Sequence, residues 1–140
     1  MINLRPLIEQ RILDQTTAFK EVAGATGLQN LKENRLNYPA AYVMHERLAP
    51  NSNQSLSDTL QPVNETVSVV IVVRNVADAR GTDAADDCFA LRTDLQAALL
   101  NWKPHPSYSK LRYAGGNLIS FANGLYLWKD SFITQTIIQG

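Results

Sequence analysis

A chain of 140 residues suits one compact domain, and 45% hydrophobic against 19% charged residues rules out a disordered segment. The 13 basic and 13 acidic side chains cancel, so no global field draws the chain to nucleic acid or an anionic membrane, and near-zero net charge favours self-association. Cys88 is the only cysteine, which excludes an intramolecular disulfide and a cysteine-rich zinc site. No apolar run exceeds the five residues Val69–Val73, too short for a bilayer span, and the N-terminus lacks a signal-peptide core. The expected place is therefore the cytoplasm or something assembled there, with no membrane partner.

The first segment predicts a helix. Leu4, Ile8, Ile12 and Phe19 fall on or near one stripe, Asn3 can cap it, and Pro6 is tolerated in the first turn. Gly24 and Gly27 break that pattern. Tyr38 to Met44 reads as a short strand with Pro39 at its entrance, and the polar stretch from Pro50 to Pro62 as an exposed flexible loop. Glu65 to Val76 is the clearest strand, nearly all β-branched. A second helix opens at Thr82 or Asp83, with Asp83, Asp86 and Asp87 where the helix dipole favours negative charge. Cys88, Leu91, Leu95, Ala98 or Leu99, and Trp102 repeat at helical spacing before Pro104 and Pro106 stop it. Leu111–Phe121 and Leu125–Ile138 then flank Asn123-Gly124, a strong hairpin signal. The expected fold is a single α+β domain over 1–140, in the order α-β-β-α-β-β, with a mainly antiparallel four-stranded sheet and two helices.

In the strand at 65–76, Val67, Val69, Ile71 and Val73 can face the helices, which turns Val70 and Val72 away. A strand apolar on both sides needs cover on both sides. Either one helix lies on each face or a second subunit supplies the cover.

The inventory for chemistry is thin, and it gives no catalytic, cofactor-binding or metal-ligating residue. His45 and Glu46 are neighbours in a strand and so point to opposite faces, and no His-x-x-His spacing exists. Cys88 falls on the apolar stripe beside three aspartates, which suits a buried core residue and not a reactive thiolate. Gly115-Gly116 lies inside a strand pattern, so a bulge or a close backbone approach explains it better than a phosphate loop. Trp128 and Asp130 share a strand face, where packing and pairing are their expected work. Arg74, Arg80, Arg92, Lys103, Lys110 and Arg112 are scattered and form no aromatic-interleaved basic stripe.

An ordered set of segments carries a resemblance: Val73-Arg74-Asn75-Val76, Asp78-Ala79-Arg80-Gly81, Leu91-Arg92, Ala98 to Pro104, Leu111 to Leu118, and Tyr126 to Phe132, with Pro39 to Val43 earlier. Together these segments resemble the tail terminator, or tail completion, family of long-tailed bacteriophages over nearly the whole chain. The chain departs from the commoner pattern in having Asn101 where a Gly often precedes Trp-x-Pro.

The resemblance implies a virion structural protein with no turnover and no cofactor. It implies a hexameric ring on the head-proximal end of the tail tube, which stops polymerisation and offers its other side to neck or head-completion proteins. Genomic DNA would pass through its lumen without sequence-specific binding. The candidate interface residues are Val70 and Val72, Arg74, Asp78 and Arg80 in and before the turn at 77–82, and Asn53, Gln54 and Ser55 in the polar loop. A neck or head–tail joining protein is the neighbouring alternative; a small ligand-binding domain or enzyme is the remote one.

Overall fold

The computed structural model describes residues 1–24, 38–51, 60–75 and 82–139. Helix α1 spans Leu4–Gln15. Asn3 caps it by accepting the Arg5 backbone N–H at 3.3 Å, satisfying one donor that a helix start leaves open. Leu4, Ile8 and Ile12 come round to one side and are fully buried. Phe19 is buried as well, but it lies beyond the helix end.

The remaining elements are β1 (Glu21–Gly24), β2 (Ala40–Pro50), β3 (Leu60–Arg74), α2 (Thr82–Leu99), β4 (Arg112–Ala122) and β5 (Leu125–Gln139). They build one five-stranded sheet in the order β1-β2-β3-β5-β4. The expectation of four strands is therefore corrected to five, and the element order to α-β-β-β-α-β-β. The added strand is β1, which is four residues long and ends at Gly24. It pairs parallel to β2, so no hairpin turn announces it, and so short a run gives too little alternation to read. The other pairings are antiparallel. Strands β2 and β3 also reach further than expected, to Pro50 and back to Leu60, which shortens the polar loop at both ends. Residues 52–59 and Val76 lie outside the described residues.

Both helices lie on the same face of the sheet. Leu4, Ile8 and Ile12 of α1 and Cys88, Leu91 and Leu95 of α2 pack into one core with Val67, Val69, Ile71 and Val73 of β3. Among the described residues, no helix lies on the other face. On the opposite side, Val70 and Val72 form a second cluster with Tyr38, Ala40 and Tyr42. They are only 1% and 0% exposed within the single chain, so their burial asks for no second subunit. Removing each valine from water stabilises the fold by about 1.5–3 kcal/mol. Strand β3 thus reads apolar on both faces because it is central, with β2 on one side and β5 on the other.

Candidate assembly surface

Polar chemistry concentrates where β5, β4 and α2 meet. Asp130 of β5 is completely buried. From α2, Arg92 donates to it through Nε at 3.0 Å and Nη2 at 3.3 Å. The Tyr113 hydroxyl of β4 donates to Oδ1 at 2.8 Å, and Trp128 Nε1 donates to the same oxygen at 2.9 Å. The Arg92 guanidinium also lies 4.1 Å above the Trp128 ring, a cation–π contact. Burial works against the Arg92 charge, yet the bonds to Asp130 hold its pKa above the ordinary value. Burial, then the bond to Asp130, raises the Tyr113 phenol. The buried ion pair fastens α2 to β5, and the Tyr113 hydroxyl ties β4 to the same carboxylate.

The glycines explain how β4 comes so close. A register shift between Tyr113 and Gly115 sets Gly116 opposite Asp130, and Gly115 takes a φ of 118°, which favours glycine. A Cβ on Gly116 would stand 2.6 Å from Tyr113 Oη and closer still to Asp130 Oδ1. Both expectations for this pair, a bulge and a close backbone approach, hold.

Beyond this anchor, β4 is an edge strand. Leu118 and Ile119 are 47% and 48% exposed, and no described strand pairs with its outer side. A second register shift falls between Leu118 and Ser120. The hairpin tip, Asn123 (φ 55°) and Gly124 (φ 76°), has the two positive angles that a two-residue turn of this hand requires.

Two further polar groups sit elsewhere on the sheet. On the face away from the helices, Glu46 accepts hydrogen bonds from Ser68 and Ser131 and pairs with Lys129. Its carboxyl is held below the usual range, first by Lys129 and then by Ser68. Toward α1, His45 Nδ1 lies 2.8 Å from Glu65 Oε1, and Nε2 lies 2.9 Å from the capping oxygen of Asn3. Burial raises the Glu65 carboxyl. His45 and Glu46 thus work separately, as adjacent strand positions demand. Among the described residues, no three His, Cys, Asp or Glu side chains are grouped to hold a metal ion. Cys88 is buried, and desolvation pushes its thiol up to about 11.

Of the expected interface residues, Val70 and Val72 are interior. Arg74 ends β3, exposed, beside a cavity of about 310 Å³ that Asp87 and Asp94 also line. Asp78, Arg80, Asn53, Gln54 and Ser55 lie outside the described residues. Sequence reasoning missed the exposed edge of β4 and the Glu65 partner of His45. The adjacent apolar pair Leu118-Ile119, which breaks period-two alternation in a terminal hairpin, was the available signal for the first; the second is long-range and left none.

The fold is that of an α+β protein whose best-defined polar cluster fastens helix to sheet beside an exposed edge strand. A comparison with family models matches residues 3–140 to the one described as phage tail terminator protein, and the chain belongs to that family. It is a structural component of the phage tail. A comparison with curated proteins gives no match. Arg92, Tyr113, Gly116, Trp128 and Asp130, which all lie in the segments that carry the resemblance, converge on the buried ion pair.

Proposed function

We propose that the whole chain acts as one terminator domain that closes into a hexameric ring on the head-proximal end of the tail tube. The ring stops tube growth and presents its other side to neck or head-completion proteins, with DNA passing through its lumen without base reading. The match across residues 3–140 carries this reading. Its mechanism is surface complementarity, with no cofactor and no turnover: a contact between two different patches closes into a ring when the rotation fits. The exposed β4 edge supports it, because an unpaired strand offers backbone groups and side chains to a neighbour. Arg74, with Asp78 and Arg80 after it and Asn53, Gln54 and Ser55 of the polar loop, belongs to the proposed contacts.

Mass photometry of the protein alone and mixed with tail-tube protein tests this. Rings, or capped tubes that stop growing, are expected. A chain that ignores tubes but binds neck proteins would move the function to head–tail joining.

A further inference from the structure

The neutral chain is electrically divided. Residues 83–94 hold four aspartates and one arginine, whereas 95–129 hold no Asp or Glu at all. On the exposed side of α2, Asp86, Asp87 and Asp94 form no ion pair with any described residue. Phe89, 66% exposed, follows Asp86 by one helical turn, while Asp87 and Asp94 line the cavity beside Arg74. A large aromatic ring left in water on a charged helix is a feature of contact surfaces.

The complementary features lie on the other side of the molecule. Asn101 and Trp102 bond to Leu111 through the backbone, so Lys103 and Lys110 flank one closed turn. Arg112 follows on β4. Its neighbour Tyr113 faces the helices, so Arg112 faces the side of the sheet away from them, opposite Ile133. Lys103, Lys110 and Arg112 are exposed, and they too form no ion pair with a described residue. The half-buried Ile133 and, four residues on along β5, the 49% exposed Ile137 share that side.

We infer that these are the two halves of one subunit contact, resting on the ring reading above: the acidic α2 face of one copy, with Phe89, docks on the basic end of the next copy, beside Ile133 and Ile137. Three carboxylates meet three cations, none of them ion-paired to a described residue, and one aromatic ring meets the exposed Ile137 and the half-buried Ile133. The patches are different and lie on opposite sides, so the contact is head-to-tail. Their charge match selects partner and direction more than it adds affinity.

Charge reversal gives a test with an internal control for folding. One variant carries Asp86→Lys, Asp87→Lys and Asp94→Lys; the other carries Lys103→Glu, Lys110→Glu and Arg112→Glu. Alone, each variant has like charges on both patches, and loss of the ring is expected, with or without tube protein. Mixed in equal amounts, they restore rings in which the two variants alternate, which also proves each is folded. Rings from either variant alone, or a mixture of folded variants that stays unassembled, would overturn the pairing while leaving the ring reading intact. So would a basic-end variant that assembles normally but loses affinity for duplex DNA, because that end would then be a phosphate contact. If the wild-type chain forms no ring even on tubes, the ring reading itself fails, and this contact with it.

Discussion

Gly116 stands directly opposite Asp130 across the β4–β5 pair, and it is the missing side chain at this position that lets Tyr113 and Trp128 share the buried carboxylate. Gly116→Ala forces the new methyl group into that shared oxygen. A loss of about 3 kcal/mol is expected, the size seen when a buried pair is broken. Gly115→Ala meets no atom within 4 Å and suffers only the unfavourable φ, so about 1–2 kcal/mol is expected there. Urea unfolding of both variants checks the order; equal losses would show that close approach is not what selects Gly116.

Arg92→Met leaves Asp130 buried without its cation, for an expected loss of about 3–5 kcal/mol. Arg92→Met combined with Asp130→Leu removes both charges and is expected to cost less than the single change plus Asp130→Leu. A double-mutant cycle reads this coupling. Additive losses would mean that the two charges do not act as a unit.

Two carboxyls give opposite pH responses. Lys129 and Ser68 lower the folded-state pKa of Glu46 below its ordinary 4.5, so its contribution is present above that pH and is lost as pH falls through the lowered value. Glu46→Gln is expected to flatten the acid limb of the stability curve. Burial raises Glu65 above 4.5, so ionising it costs stability as pH rises through the raised value. The stability of Glu65→Gln relative to wild type is therefore expected to improve between pH 4 and pH 7. Thermal melts across that range decide both, and parallel curves for all three proteins would reject the assignment.

Cys88 reports unfolding. Its thiol is buried and its pKa is about 11, so alkylation by iodoacetamide at pH 8 is expected to proceed only through opening of the α2 core. Labelling should slow as denaturant is withdrawn and should accelerate in Gly116→Ala. Fast labelling of native wild type would contradict the packing described.

Much of this arrangement can be read from the chain. Leu4, Ile8 and Ile12 name the buried side of α1, the β-branched run names β3, and Asn123-Gly124 names the hairpin. Period-two alternation puts Trp128 and Asp130 on one face. The rest depends on partners far away in sequence. Strand β1 exists because β2 is beside it, and Glu65 meets His45 from another strand. Gly116 faces Asp130 only because the bulge between Tyr113 and Gly115 resets the alternation. The doubly apolar β3 was legible as a need for cover, with cover by the same chain and cover by a second subunit left open, because the pattern of one strand does not say which residues lie over it.

The long outer side of β4 has a consequence for the chain before it finds partners. An eleven-residue edge that no described strand pairs, with exposed Leu118 and Ile119, would template uncontrolled stacking of free copies into aggregates. The two irregularities at Tyr113/Gly115 and Leu118/Ser120 interrupt the strand before a flat, in-register ribbon can form. The kink at Tyr113/Gly115 that lets a buried carboxylate meet its partners thus also works against edge-to-edge aggregation.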